Sequence, residues 1–198
     1  MEFWLTGNIT EEKVVGLIQA ITACPSPRII VYINSPGGEY SSAKYLHGFL
    51  CELKKEVVTA VVGECQSSAV LILVAGSERW ATPVAEFMVH AVYDSWPDEE
   101  VKRIIEDGDV GVREYQRVID ACQRAIADCN KFSDEYFGLI ASHSNLTSNK
   151  IRNKVQGTSS GDWFFTSKEA LKMQIIDNIG LPEKVVTSEA KAASAKKV

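Results

Sequence analysis

Ser67 lies where two predicted elements meet, in a position that favours nucleophilic chemistry. The apolar, β-branched run at residues 57–63 has the composition of a buried strand, and the segment VLILVAG after Ser67 has that of a short buried helix. A serine at such a junction exposes its hydroxyl, while the amides that follow it point outward at the helix N-terminus. We therefore predict that Ser67 is a nucleophile.

A second turn follows the apolar strand at residues 28–34 and contains Pro36, Gly37 and Gly38. Proline followed by two glycines forces a sharp turn, and glycine leaves backbone N–H groups with no side chain in front of them. Two such turns side by side would supply a nucleophile and an oxyanion hole.

A serine hydroxyl needs a base, and the chain contains three histidines. His47 lies in the middle of a predicted helix among core positions, and His143 ends a long helix, where a cation is ordinary dipole chemistry. His90 ends the apolar strand FMVH, at the carboxyl edge where sites collect in α/β sheets. A lone histidine is more often structural than catalytic, but its position makes His90 the candidate base.

A third group must hold the imidazole in place, and Asp162 is the candidate. It follows Gly161 in a polar loop and precedes a predicted helix. Taken alone, it fits a turn or a helix cap as well. The chain order serine, histidine, aspartate is no objection, because triads are defined by geometry.

The candidate residues are distributed over alternating strands and helices. Strands are predicted at residues 3–6, 28–34, 57–63, 79–82 and 86–90, and helices after Thr10, over 40–54 and after Ser67. This order favours an α/β protein with a largely parallel sheet and right-handed crossovers. Shorter helices are predicted over 147–155 and 168–174, the latter with Thr166 and Ser167 as candidate caps.

Residues 112–142 carry apolar positions on one face of what would be a single long helix. A helix of about 30 residues extends roughly 45 Å. That is more than a small domain needs, so we expect this helix to project from the domain or to pack against a neighbour. Residues 1–183 are predicted to form one domain, and residues 184–198, rich in Ala, Lys and Ser, a disordered tail.

Composition excludes several classes of function. The net charge is −5, the pI is about 5.3, and Lys and Arg are scattered, so the basic patch of a nucleic-acid-binding protein is missing. The longest apolar stretch, residues 67–76, is about half the length of a membrane span, and the N-terminus lacks a signal-peptide core. The five cysteines show no metal-ligand or disulfide spacing. We expect a cytoplasmic protein that contacts neither membrane nor nucleic acid.

Several segments together resemble the ClpP-like serine peptidases, the family of the proteolytic subunit of the Clp protease. The resemblance covers most of residues 3–181. Its segments are FWLTG at 3–7, VYINSPGG at 31–38, GECQS at 63–67, FMVH at 87–90, DWFFTSKEA at 162–170 and IDNI at 176–179. The SPGG turn alone is a moderately specific sign of this family. Its occurrence together with Ser67, His90 and Asp162, in that order along the chain, is strong evidence for the resemblance.

The resemblance implies a fold and a catalytic triad. The fold is a ClpP/crotonase-type α/β spiral of βαβ units, with the helix at 112–142 as a projecting handle. Ser67 attacks the peptide carbonyl, His90 takes and returns the proton, and Asp162 orients the imidazole.

The resemblance also implies an oxyanion hole and an assembly. The backbone N–H groups of Gly38 and Ser68 would bind the oxyanion, and Gly37 and Gly38 would contact the substrate. The implied activity is that of a serine endopeptidase acting on unfolded proteins or peptides inside a homo-oligomeric ring, a heptamer or tetradecamer. An AAA+ unfoldase is the implied partner, and neither a metal nor an organic cofactor is implied.

Two segments depart from the family pattern. Ser68 and Ala69 stand where the family usually has a large apolar residue and then glycine. Residues 91–97, AVYDSWP, replace a glycine-rich stretch that in the family lines the substrate groove and the contact between rings. These departures affect two properties of the family. One is the binding of substrate by strand addition, and the other is the stacking of two oligomeric rings.

Two other functions fit the same fold. A crotonase-like hydratase or isomerase would act on coenzyme A thioesters with a catalytic carboxylate near Ser67 or His90, where Glu64 is the nearby candidate. An inactive, peptidase-like subunit would serve only as a structural partner in a ring.

Overall fold

The computed structural model describes residues 1–93 and 111–183, together with the single positions 102 and 106. Within these residues the strands are β1 Glu2–Thr6, β2 Arg28–Ser35, β3 Glu56–Gln66, β4 Glu78–Ala81, β5 Glu86–His90, β6 Asp162–Thr166 and β7 Asn178–Ile179. The helices are α1 Glu11–Ala23, α2 Tyr40–Glu52, α3 Ala69–Val74, α4 Val112–Ser142, α5 Ser148–Gln156 and α6 Ser167–Lys172. The predicted disordered tail at 184–198 lies outside the described residues.

The sheet confirms the predicted α/β architecture. Its strands run parallel in the order β1-β2-β3-β4-β7, and β3 also pairs in parallel with β5. The long strand β3 contacts β4 over Val58–Val61 and then β5 over Glu64–Gln66. Only β6 runs antiparallel, along the far side of β5. The carboxyl ends of β2, β3 and β5 therefore meet at one edge of the sheet.

The main core lies between the helices and one face of the sheet. All six residues of α3 are buried, as its uninterrupted apolar sequence AVLILV requires. A smaller cluster on the other face contains Ile30, Tyr32, Val58 and Ala60, with Val62 and Trp80 packed against it. Because α3 starts directly after the Ser67 turn, its burial fixes where the turn lies.

The long helix α4 spans the residues predicted for it. Near its C-terminus it is buried through four residues, Ser133, Tyr136, Phe137 and Ile140. Nearer its N-terminus the apolar stripe is exposed, with Tyr115 and Ile126 each 61% accessible. The helix therefore projects from the domain, as predicted. No helix among the described residues, α4 included, is both long and apolar enough to cross a bilayer.

The expectation that Asp162 lies in a loop is wrong, because this residue begins strand β6. The sequence DWFFT forms a strand because it pairs with β5, and the rings of Phe87 and Phe165 stack across the pair with their centroids 5.2 Å apart. Thr166 is the helix cap that follows, and Glu169 completes a capping box with it.

Candidate active site

Ser67 lies at the junction between β3 and α3 that the sequence predicts. Its backbone is left-handed, with φ at 52°. Such a conformation costs about 1–3 kcal/mol in a residue other than glycine and persists only where its surroundings hold it. Here the Ser67 N–H donates to the Met88 carbonyl at 2.8 Å, and the Ser67 carbonyl accepts from the Val70 N–H at 3.0 Å. The turn thereby presents the hydroxyl at the carboxyl edge of the sheet.

His90, the last residue of β5, is within hydrogen-bonding distance of this hydroxyl. Its Nε2 lies 2.8 Å from the Oγ of Ser67, and its Nδ1 lies 2.5 Å from the carbonyl oxygen of Ala91. Because a carbonyl oxygen can only accept, Nδ1 carries the proton and Nε2 offers a lone pair. The Ser67 hydroxyl therefore donates to Nε2, which is the orientation that general-base catalysis needs.

The glycine turn at residues 36–38 packs directly against Ser67. A β-carbon on Gly37 would lie 2.7 Å from the β-carbon of Ser67, and one on Gly38 would lie 2.3 Å from the carbonyl oxygen of Ile9. Both glycines have positive φ, at 99° and 146°. The Ile9 N–H donates to the Gly37 carbonyl at 2.7 Å and so anchors the turn to the chain before α1. Only glycine fits at these two positions.

Two residues with unpaired backbone amides line the cleft beside the serine. Among the described residues, the N–H groups of Gly38 and Ser68 donate to no acceptor. The Ser68 hydroxyl donates to the Gly38 carbonyl at 3.1 Å and links the two turns that carry these amides. Two unpaired N–H groups beside a serine hydroxyl have the chemistry that an oxyanion hole would need.

These groups line a cleft of about 680 Å³. Its apolar and aromatic walls are formed by Ile9, Tyr40, Met88, Val92, Tyr93 and Tyr136. Tyr93 also stacks on the His90 imidazole, with ring centroids 5.0 Å apart. A cleft of this size can hold a short peptide segment with apolar side chains.

Asp162 is brought next to the base but is not bonded to it. In the antiparallel pair of β5 and β6 its Cα is the partner of that of His90. Nevertheless, the described residues contain no hydrogen bond to its carboxylate, and the Nδ1 proton of His90 goes to Ala91 instead. The structure thus brings Ser67, His90 and the two amides together. Asp162 lies on the neighbouring strand but lacks the hydrogen bond to His90 that the predicted triad requires.

Two other groups near the serine do not enter the cleft. Glu64, the carboxylate that a hydratase would need, is on β3 but does not line the cleft. Cys65 is completely buried, and burial raises the pKa of its thiol far above the ordinary range. Neither side chain belongs to the lining of the cleft that contains Ser67.

The other two histidines have structural contacts. The Nδ1 of buried His47 donates to the Leu71 carbonyl at 2.7 Å, and burial lowers the pKa of this imidazole. His143 follows the last residue of α4, and its Nδ1 donates to the Leu139 carbonyl at 3.0 Å. Neither of these two histidines lines the cleft that contains Ser67.

Sequence reasoning missed two features of the site. The Ala91 carbonyl accepts the Nδ1 proton of the His90 imidazole. A contact with a backbone atom cannot be predicted from residue types, because every residue has the same carbonyl group. Tyr136 is recognised only as an apolar position of the α4 stripe, yet its hydroxyl donates to the Ser67 carbonyl at 2.7 Å. A buried tyrosine needs a partner for its hydroxyl, and this is the one signal that points to such a contact.

Comparisons with known proteins agree with the fold. The model of the Clp protease family matches residues 3–183. The ATP-dependent Clp protease proteolytic subunit 2 of Streptomyces coelicolor is 27% identical over 157 residues, which cover 78% of this chain and 62% of that protein. Proteolytic subunit 4 of Streptomyces avermitilis is 26% identical over 157 residues, covering 78% of this chain and 60% of that protein. This chain thus spans about three fifths of the length of these relatives.

A solved structure shows the same fold. A mutant of ClpP1 from Listeria monocytogenes superposes with a TM-score of 0.69 over 92% of each chain, at 17% sequence identity. At this identity the similarity establishes the architecture, and the chemistry has to be argued from the residues of this chain.

Proposed function

This chain belongs to the Clp protease family, and from its site we propose that it is a serine endopeptidase that hydrolyses unfolded proteins or peptides. The observation that carries the proposal is the distance of 2.8 Å between the Oγ of Ser67 and the Nε2 of His90, with the tautomer fixed for proton transfer. We place the peptidase domain at residues 1–183.

The proposed reaction proceeds through an acyl-enzyme. Ser67 attacks the peptide carbonyl as His90 accepts its proton at Nε2. The N–H groups of Gly38 and Ser68 bind the oxyanion of the tetrahedral intermediate, where a single such donor is typically worth about 3–4 kcal/mol. His90 then protonates the leaving amine. Water attacks the acyl group as His90 accepts its proton, and His90 returns that proton to the Ser67 oxygen as the bond to the acyl group breaks and the carboxylic acid product leaves. The chain supplies every group that these steps need, so the proposal includes no metal or organic cofactor.

Asp162 is proposed as the third member of the triad. Support comes from its place opposite His90 on the neighbouring strand. When His90 becomes an imidazolium during the attack, a carboxylate in this place attracts its charge more strongly than the Ala91 carbonyl does. Gly37 and Gly38 are proposed to contact the substrate backbone, since they line the cleft beside the nucleophile.

A ring-shaped homo-oligomer, heptameric or tetradecameric, is proposed as the working form. Support comes from the projecting part of α4, whose apolar side chains stay accessible within a single chain. An AAA+ unfoldase is the proposed partner, because the two curated relatives are named as subunits of an ATP-dependent protease.

One observation favours an inactive ring subunit as the second candidate. Among the described residues, the Asp162 carboxylate lacks the hydrogen bond to His90 that a complete triad has. The hydratase alternative has less support, because Glu64 lies outside the cleft lining.

Hydrolysis of a fluorogenic peptide tests the proposal. The wild type is expected to cleave it, and both Ser67→Ala and His90→Ala are expected to reduce turnover by a factor of about 10³ or more. Folded wild-type rings that leave both the peptide and unfolded casein intact would show the inactive subunit to be correct. Turnover of an acyl-CoA that survives Ser67→Ala would favour the hydratase instead.

A further inference from the structure

One turn of the handle helix α4 makes hydrogen bonds to two segments that form the site and to the helix that follows the third. Ser133 contacts the segment after His90, and Tyr136 contacts the nucleophile turn. Glu135, between them, accepts from Tyr40 at 3.2 Å and so reaches the helix that follows the glycine turn. These contacts suggest a task for this turn beyond packing.

The contact of Ser133 reaches the base through a single peptide group. Its Oγ accepts from the Val92 N–H at 2.9 Å, and the carbonyl of that same peptide group, from Ala91, accepts the Nδ1 proton of His90. The peptide is planar, so fixing the direction of its N–H also fixes the direction of its C=O. Ser133 is itself 2% exposed, which keeps water from replacing it.

The contact of Tyr136 acts on the nucleophile. Its hydroxyl donates to the Ser67 carbonyl at 2.7 Å, on the residue whose φ is 52°. A left-handed backbone at a serine is maintained by its surroundings, and this bond belongs to them. Burial raises the pKa of the Tyr136 phenol well above its ordinary value, so the hydroxyl remains a donor at every working pH.

We propose that Ser133 and Tyr136 are positioning residues of the peptidase site: Ser133 aims the imidazole of His90 through the peptide group of residues 91 and 92, and Tyr136 holds the backbone of Ser67. The handle helix thereby sets the geometry of both reacting residues from one turn. The catalytic part of this inference rests on the proposed function. Its structural part rests on the two hydrogen bonds alone.

Two variants test these hydrogen bonds: one removes the donor hydroxyl of Tyr136, and the other removes the acceptor hydroxyl of Ser133. Tyr136→Phe keeps the ring in the core, and Ser133→Ala leaves the Val92 N–H without an acceptor. For each we expect the maximal rate of acylation by a fluorophosphonate, kinact, to fall about tenfold with KI unchanged within about twofold. A purely structural role would lower thermal stability and leave kinact at its wild-type value.

Imidazole NMR provides a readout that does not require activity, because the chain has three histidines. Both variants are expected to shift the His90 resonances and to leave those of His47 and His143 in place. Ser142→Ala is the matched control on the same helix, since its hydroxyl contacts the Nδ1 of His143 at 2.9 Å. It should shift the His143 signal, and through the ring contact at 5.8 Å that of His47, while the His90 resonances and kinact stay unchanged.

Each outcome decides a different claim. Unchanged kinact and unchanged His90 resonances in both variants would overturn the inference. A wild type that is never acylated would overturn the proposed function, while shifted His90 resonances would still uphold the structural part. Should a variant fail to fold, amide exchange in the wild type decides: the Val92 N–H should exchange slowly if Ser133 accepts from it, and exchange at the rate of a free amide would contradict the inference.

Discussion

His90 and Asp162 stand directly opposite each other on the antiparallel strands β5 and β6, yet the imidazole donates to the Ala91 carbonyl instead. A neutral carbonyl selects the same tautomer as a carboxylate would. It stabilises an imidazolium less, because a carboxylate adds the attraction between opposite charges to the hydrogen bond. Tautomer selection and charge stabilisation, which a triad usually combines in one residue, are therefore separable in this site.

Asp162→Asn is expected to preserve the fold and to lower kcat/KM for peptide hydrolysis about 100-fold. This is less than the loss of about 10⁴ seen where asparagine reverses the tautomer, because the Ala91 carbonyl still selects it. Steady-state kinetics on a fluorogenic peptide measure the change. Asp128→Asn, on the exposed surface of α4, is the control and should match the wild type. Equal turnover in both variants would remove Asp162 from the mechanism.

Gly37→Ala is expected to abolish activity, because its new β-carbon would lie 2.7 Å from the β-carbon of Ser67 and 2.8 Å from the carbonyl oxygen of Gln66. The turn must then move away from the nucleophile, so we expect acylation at least about 100-fold slower. Gly48→Ala is the matched control, because a β-carbon there meets no atom within 4 Å and the site lies inside α2. It should leave activity unchanged and raise the free energy of unfolding by up to about 1 kcal/mol. Normal acylation of Gly37→Ala would show that the two turns are not in contact.

The stability of the protein should fall between neutral and mildly acidic pH because of His47. Burial lowers the pKa of this residue in the folded state, against the opposing effect of its hydrogen bond to the Leu71 carbonyl. Below the unfolded-state pKa of about 6.5, His47 binds a proton in the unfolded chain but not in the folded chain. The free energy of unfolding therefore decreases as the pH falls, until the lowered pKa of the folded state is reached.

Urea unfolding at pH 8.0 to 5.5, in steps of about half a pH unit, measures this dependence. His47→Gln should flatten the curve over this range, whereas His143→Gln should flatten it only in part, because the charge of His143 adds to the effect of burial in lowering the His47 pKa. An equally steep decrease in His47→Gln would mean that another group binds the proton.

Ile119→Asp is expected to weaken ring assembly without unfolding the chain. Ile119 is 48% exposed on the projecting part of α4, so the substitution costs a single subunit little stability. Burying a new carboxylate between subunits, however, is strongly unfavourable. Sedimentation velocity should show smaller species for this variant. Arg117→Gln changes the charge by the same amount on the opposite face of the helix and should assemble normally, while intact rings in both variants would place the interface elsewhere.

The elements around Ser67 could be predicted because local signals specify them. An apolar run followed by a polar turn marks the end of β3, and the stripe at residues 112–142 defines α4 to the residue. Gly63 interrupts the apolar pattern, so the prediction ended β3 there. The strand in fact continues to Gln66, because a second partner, β5, pairs with it beyond the glycine.

Features that depend on distant pairing could not be predicted. Residues 162–166 become a strand only through contact with β5, which lies more than 70 residues earlier in the chain. The bond from Tyr136 to Ser67 joins a helix to a turn, and a helical pattern counts the tyrosine ring without showing where its hydroxyl points. The acceptor for the Nδ1 proton of His90 is a main-chain oxygen, so no residue type in the sequence indicates it.

Covalent labelling measured by intact mass tests most directly whether Ser67 is a nucleophile activated by His90. We expect a fluorophosphonate to add one adduct per wild-type chain, mapped to Ser67 by peptide sequencing, and none to Ser67→Ala. His90→Ala should label far more slowly, and Ser68→Ala should still carry its adduct on Ser67. An adduct on any other residue, or wild-type chains that stay unmodified under conditions where rings are intact, would contradict the account.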